Sequence, residues 1–576
     1  MTYAASLAAI TRTPITYLVM TLDYCAETYG AGSCTASAAT KCYNTYPTCR
    51  DKANFNKTTK DYTFSTADAP LPFSAGERPY IKSVQYMPTE IKDSLTVTAS
   101  VKIELYDEPD TDVGIDPYLS DRSSVQGTFW KKLLARNTNY LGRIVKIYEG
   151  FSGLAVGDYS QKFVGRITDM ELQDGILTME VSDILTSLSE YTIPPYLNVY
   201  LGTATLSNSS QITLRGSGLS SLDSTTGYVR IDDEIIKYEA IDTTTGIIST
   251  LTRGSFSTTA ANHNESVAVQ KVRYFAPASG FDHLKTILLT DCGVAAGYVN
   301  DTQFDTERDD AAAAPEVDLS AIISEPANAQ DLYFELVELL NCKSWVGEDL
   351  KVTIKRNLPN YPGRTYSTLT DDTEIVSGSV DLNQASRVSR CSIYWDRSAV
   401  GAVDDPASYA RLDVAIDSNA EGVNEYNARA EKTIYCRWLR SGYDTEENMN
   451  LFVKGQASRI VSQSRDPMPI VTIKTELKSG DGIKTGDYVK LTTDELQDKD
   501  GNDLTTAPFQ VIKREAEGSI VTMDCLRISP KRYKIISPSS YSTKDYETAT
   551  AAEREYGAIC DTNGLMAGGD DGYRIW

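Results

Sequence analysis

The sequence predicts a mainly β protein with α/β elements, built from several domains of which two are β-barrel-like. Three observations carry this expectation. The chain has 576 residues, and at roughly 100–200 residues per domain it holds about three to five domains. Strand-like alternation of apolar and polar residues recurs in two separated blocks, about 80–190 and 375–530. Helical stripes cluster between those blocks.

In the first block, Leu95, Val97, Ala99, Val101, Ile103 and Leu105 alternate with polar residues, which predicts one strand over Leu95–Leu105. Arg143–Tyr148 and Phe163–Met170 read as further strands, Asp174 and Gly175 as a hairpin turn, and Val181–Leu188 as a short helix. The barrel is expected to span 80–200. Residues 203–270 change texture to Ser, Thr and Gly. They carry strand-like runs at Tyr228–Tyr238 and Ile247–Thr252, an inserted small all-β module. The mixed α/β segment 271–374 holds helical stripes at Phe281–Leu289 and Asp331–Leu340 and a strand at Asp349–Ile354. The second block, 375–530, has strands at Val388–Trp395, Lys432–Leu439, Ile470–Leu477, Gly486–Leu491, Phe509–Ile512 and Ser519–Leu526, with a helix at Asn448–Ser462. Residues 531–576 read as an extended C-terminal tail with one short helix near 549–556.

Charge and histidine content narrow the function. The net charge is −23, the wrong sign for phosphate binding, so nucleic acid is not an expected ligand. Only two histidines occur, His263 and His283, which leaves little room for imidazole-based catalysis or His-rich metal sites. The first twenty residues lack the basic start and apolar core of a signal peptide, and no apolar run is long enough to span a bilayer. A protein made in a cytoplasm is expected. The 35 tyrosines, against 13 phenylalanines, suit either sheet faces or surfaces that meet other subunits.

Four of the ten cysteines crowd into one stretch, Cys25, Cys34, Cys42 and Cys49, separated by eight, seven and six residues. Four thiols this close in a cytoplasmic protein suit a metal site, either tetrahedral zinc or an iron–sulfur cluster; two disulfides or four idle thiols are the alternatives. Zinc ribbons use tight two-residue knuckles, and none is present. Wide loops of Gly, Ala, Ser, Thr and Asn suit a larger inorganic core. Residues 1–79 are therefore expected to form a cysteine-cluster segment. The other six cysteines read as core residues.

The run from Leu22 through Cys25, Tyr29, Gly30, Cys34, Cys42 and Cys49 to Asn54 resembles the start of central hub proteins of siphophage tail tips. The cysteine set is also similar to that of lambda-type tail-tip proteins, although here it opens the chain and the interval between the pairs is shorter. Gly227–Tyr238 with Leu251–Gly254 resembles an inserted β module of such hubs, and Gly486–Val489 the opening of their late barrel. Gly564–Met566 with Gly572–Ile575 is similar to their ending. The resemblance extends to gene transfer agent hubs. It implies two related barrels in a homotrimeric ring, which would match a sixfold tail tube above to a threefold tip below and gate a channel for DNA and tape measure. It implies an iron–sulfur cluster, of 4Fe-4S type, on Cys25, Cys34, Cys42 and Cys49, with zinc as the alternative. Implied partners are the distal tail protein, the tape-measure protein and other tail-tip or fibre proteins. DNA would pass through without specific binding, and no membrane insertion is expected. The location would be the virion tail tip, after assembly in the host cytoplasm.

No enzymatic activity is expected. A tail-tip cell-wall hydrolase is one rival reading, resting on acidic pairs such as Asp232–Asp233 and Asp309–Asp310, which in turns are usually solvated loop acids. A receptor-binding adhesin using the 203–270 module is the other.

Overall fold

The computed structural model describes residues 13–66 and 78–527, leaving aside 88–89, 93–94, 98–99, 124, 310–316, 348, 357–365, 372, 384–385, 443–445, 481, 498–500 and 518–519. The tail expected at 531–576 lies outside the described residues.

Seven strands close a barrel. They are β1 (Pro14–Cys25), β2 (Lys57–Thr66), β3 (Arg78–Met87), β4 (Ser100–Tyr106), β5 (Ile144–Phe151), β6 (Ser160–Gln173) and β7 (Ile176–Ser182). Their order is β1-β2-β3-β4-β7-β6-β5, and β5 returns to β1. Neighbours are antiparallel except β2 and β3. The barrel therefore starts well before residue 80. The cysteine stretch is a loop between two of its strands, β1 and β2, which pair along Tyr17–Cys25 and Lys57–Ser65. Alternation sets the inner face: Val101, Ile103 and Leu105 of β4 lie opposite Val181, Met179 and Leu177 of β7, respectively, and are buried with them. Asp174 and Gly175, both with positive φ (50° and 79°), form the two-residue turn joining β6 to β7.

A short helix, α1 (Phe129–Arg136), packs Phe129, Trp130 and Leu133 into the barrel core. Trp130 stacks on Phe64 of β2 with centroids 5.0 Å apart. Asp107, just after β4, accepts the Trp130 N–H (2.8 Å) and the Thr128 hydroxyl (2.6 Å), placing a carboxylate at the helix N-terminus.

The expected single strand Leu95–Leu105 divides in two. Ser100–Tyr106 is β4, whereas Leu95–Val97 pairs with Glu90–Lys92 in a small hairpin. That hairpin reaches the second large sheet, where Glu90 lies opposite Lys513. Likewise the apolar run Val181–Leu188 splits between the end of β7 and a one-turn helix, Ile184–Ser187, capped by Asp183.

The 203–270 region carries a hairpin, β8 (Gly227–Ile231) and β9 (Glu234–Tyr238), in a sheet ordered β9-β8-β10-β11, with β10 at Val269–Ala278 and β11 at Leu319–Ile323. Because β10 runs through residue 270, the module shares a sheet with the following segment. That segment supplies α2 (Ala329–Leu339), whose Leu332, Leu336 and Leu339 are buried as the helical stripe predicts.

Within 375–530 two units interleave. Ile375–Asn383, Met468–Glu476, Tyr488–Gln497, Asp503–Glu517 and Ile520–Arg527 join Tyr366–Thr370 in one large curved sheet with its own core. The intervening chain instead forms β12 (Arg390–Arg397), β13 (Tyr409–Ile416), β14 (Glu431–Tyr435) and α3 (Glu446–Ser464). These pack with α2 into the central core around Trp395, Trp438 and Phe452. The fold is thus mainly β and multidomain. Among the described residues no helix is long and apolar enough to cross a membrane.

Candidate metal centre

The loop joining β1 to β2 spans residues 26–56 and contains only one short 3-10 turn, Lys52–Asn54. Of its residues only Cys42, Asn44 and Thr45 are buried. A loop this long without a core needs another source of order.

Part of that order is polar stapling. Asn44, in a left-handed conformation (φ 55°), binds Cys25 through both backbone and side chain: the Cys25 N–H donates to the Asn44 carbonyl (2.8 Å), and Asn44 Nδ2 donates to the Cys25 carbonyl (3.3 Å). The Cys42 thiol donates to Asn44 Oδ1 at 3.4 Å. Asn44 therefore ties Cys25 to Cys42. Asp51 does the same for the other two cysteines. Its carboxylate accepts the N–H (2.7 Å) and hydroxyl (2.9 Å) of Thr35, next to Cys34, while its own N–H donates to Cys49 Sγ at 3.4 Å. These bonds hold the Asp51 carboxyl below its usual range, the Thr35 N–H contributing most.

Arg122 fixes the loop to the barrel rim. Its guanidinium donates to the carbonyls of Lys41 (2.8 Å) and Cys42 (2.9 Å) and pairs with the buried Asp116 (2.8 Å). It also stacks on Tyr43 at 4.1 Å from the ring centroid, and Arg136 of α1 covers the same ring at 3.9 Å. Arg136 is held in turn by Asp112 (2.8 Å). The Tyr29 N–H donates to the Tyr118 hydroxyl at 2.7 Å.

All four predicted cysteines line one concavity of about 310 Å³, counting the solvent at its mouth, together with Glu27, Tyr29, Asn44, Arg50, Asp51 and Asn54. All four are free thiols; Cys25 and Cys42 are buried, Cys34 and Cys49 half-buried. Burial pushes the Cys42 thiol up, and the neighbouring Cys49, Cys25 and Cys34 add to that shift. Among the described residues no three His, Cys, Asp or Glu groups lie close enough to share one metal ion.

Of the other cysteines, Cys292, Cys342, Cys391, Cys436 and Cys525 are buried singly and Cys560 lies outside the described residues. Asp232 and Asp233 form the β8–β9 turn, and Asp232 bonds His263 Nδ1 at 2.8 Å. Asp309 pairs with Arg308; Asp310 lies outside the described residues.

Two arrangements are not legible in the sequence. One is the Arg122–Tyr43–Arg136 sandwich, whose members lie about eighty residues apart. The other is a buried ion cluster in the module. There Glu234 accepts both arms of Arg253 (2.7 Å each), His263 Nε2 (2.8 Å) and the N–H groups of Gly254 (3.0 Å) and Ala261 (2.9 Å). Burial alone would raise the Glu234 carboxyl; these donors outweigh it and hold it down to about 2.

No family model and no curated protein matches the chain. Among solved structures it is similar to a tail protein from Neisseria meningitidis MC58, at 12% identity over 77% of this chain and 91% of that one, with a TM-score of 0.35. It is similar to the 43 kDa tail protein of prophage MuSo2 from Shewanella oneidensis, at 10% identity over 77% and 97%, with a TM-score of 0.34. It is also similar to a chain of the phage P2 baseplate, at 11% identity over 83% and 94%, with a TM-score of 0.23. All three scores lie below 0.5, so the functional reading rests on the chain's own residues.

Proposed function

We infer that this chain is a structural hub of a phage tail tip or baseplate, held in shape at one barrel rim by an iron–sulfur cluster on Cys25, Cys34, Cys42 and Cys49. One observation carries the reading: four free thiols gather in a single concavity, one at the end of β1 and three in a loop with almost no apolar core, rooted in a closed barrel. Metal binding adds directly to the folding free energy of such a loop. The donor set suits the cluster. It is all sulfur, spaced around a cavity, with an N–H from Asp51 directed at Cys49 and the Arg50 side chain at the wall. When bound, the cluster supplies four covalent cross-links; Asn44, Asp51 and Arg122 orient the loop that receives it.

The barrel, the second curved sheet and the central core between them suit a hub whose copies assemble as a trimer under a sixfold tube. Each copy would present two barrel-like units, and the assembly would pass DNA and tape measure through its axis, held by distal tail and other tail-tip or fibre proteins. The net charge of −23 suits a channel that does not retain DNA. The test is twofold. Anaerobically purified chain is assayed for iron and acid-labile sulfide, and tails made with Cys42→Ser are examined for tips. Iron-loaded wild type and tipless variant tails are expected. Complete, infectious variant tails would overturn the structural role. Clearing of a peptidoglycan zymogram by the purified chain would favour a hydrolase instead.

A further inference from the structure

The His263 side chain is fully buried in the inserted module, and both of its ring nitrogens face carboxylates. Nε2 lies 2.8 Å from Glu234 Oε2, whose side chain is also fully buried. Nδ1 lies 2.8 Å from Asp232 Oδ2, whose side chain is 55% exposed. The two nitrogens are therefore not equivalent. Glu234 takes both arms of Arg253 and the N–H groups of Gly254 and Ala261, which keep it ionised through the neutral range. An ionised carboxylate only accepts, so Nε2 holds a proton and donates it. That leaves Nδ1 as the nitrogen that can gain or lose one. Ionised Asp232 also only accepts, so the Nδ1–Asp232 bond belongs to the doubly protonated ring; a neutral ring would set a lone pair against a carboxylate. The exposed Asp232 side chain gives that proton its route to water.

The neighbouring elements bring few other charges. Residues 203–207 hold no titratable group and meet His263 through the Thr205 backbone, which exchanges two N–H···O bonds with it at 2.9 Å each. The 253–261 loop brings Arg253, which is occupied by Glu234 and by the carbonyls of Leu206 and Ala261. Glu265 lies two residues further along the loop of His263 itself. The β8–β9 hairpin brings Arg230 and Asp233 beside Asp232. Asp232 opens the hairpin turn at φ 52°, a left-handed conformation that a non-glycine residue holds against its preference. Its carbonyl accepts Arg230 Nε (2.7 Å), and Arg230 Nη1 reaches Glu325 (2.5 Å), just beyond β11. The turn thus touches both the loop of His263 and the segment that follows the module. We propose that His263 and Asp232 form a proton-operated latch: a proton on Nδ1 ties the β8–β9 turn to the loop carrying His263, and its loss frees the turn and loosens the Arg230–Glu325 contact with the next segment. The latch closes as pH falls and opens as pH rises.

The test uses the full chain with its histidines labelled by nitrogen-15. Only two occur, and His283, whose Nε2 bonds the Leu319 carbonyl at 2.8 Å, serves as the internal reference. Between about pH 9 and about pH 5, His263 Nε2 should stay protonated while Nδ1 gains a proton. Amide exchange at Asp232 and Asp233, corrected for its intrinsic pH dependence, should slow about tenfold through the same midpoint, the low end for one charge-assisted hydrogen bond. Asp232→Asn keeps the contact at every pH, because its amide donates to a neutral ring and its oxygen accepts from a charged one; its turn should exchange slowly throughout, with no step. A His263 ring that keeps one protonation state over the whole range overturns the latch. So does turn exchange that ignores the titration of the ring, or a step of equal size in Asp232→Asn.

Discussion

Replacing Arg122 by Ala should release the cysteine loop from the barrel while leaving the barrel folded. The guanidinium holds the Lys41 and Cys42 carbonyls at 2.8 and 2.9 Å and neutralises Asp116, whose side chain is fully buried. Removing one partner of a buried ion pair costs about 3–5 kcal/mol, because the other charge stays buried. Asp116 keeps one donor, the Tyr118 N–H at 3.0 Å, which argues for the lower end, about 3 kcal/mol. The cost falls on the loop, since neither Arg122 nor Asp116 belongs to the barrel core. Amide hydrogen exchange reads it directly. At 1.4 kcal/mol per decade, exchange at Cys25, whose N–H bonds Asn44, should quicken roughly a hundredfold while the Ile103 and Met179 amides are unchanged. Arg122→Lys keeps the charge but loses the fork and should fall between. Unchanged exchange at Cys25 in Arg122→Ala would refute the account of how the loop is held. Equal loss across the barrel would refute its local character.

Three further outcomes follow from the geometry. Metal uptake by the apo chain should strengthen as pH rises from about 6 to 8, because bound thiols must lose protons and burial holds the Cys42 thiol above its ordinary value; titration with ferrous iron and sulfide at several pH values checks this, and pH-independent uptake would contradict it. The Glu234 cluster should stabilise the module fully above about pH 4.5 and lose that stability, up to about 3 kcal/mol, as pH falls through the depressed carboxyl value of about 2, whereas Glu234→Ala should cost about 3–5 kcal/mol at neutral pH; exchange at Val229 and Ile236 reports both. Trp130→Ala should destabilise the first barrel by about 3–5 kcal/mol in thermal melts through the cavity it opens.

The β content, the Asp174–Gly175 turn and the α2 stripe were legible because period and turn chemistry are local. Boundaries were less so. Ile15, Leu18, Met20 and Leu22 of β1 carry a readable apolar pattern, but the cysteine spacing drew that stretch into a separate segment. Only long-range pairing of β1 with β5 shows that it closes the barrel. The second block looked continuous because β12, β13 and β14 alternate like the strands around them. Which core they join depends on α3, and strand periodicity does not report that. At the candidate site, cysteine count and spacing marked the four thiols. Asn44, Asp51, Arg122 and Arg136 were invisible, since an Asn, an Asp or an Arg in a loop carries no pattern until a partner many residues away is brought beside it.

The most direct test of the cluster is the spectrum and composition of the full chain purified without oxygen. A brown protein is expected, with a broad band at about 400 nm and about four iron and four sulfide ions per chain, all lost in Cys42→Ser. A colourless chain, carrying zinc or disulfides among Cys25, Cys34, Cys42 and Cys49, would contradict it.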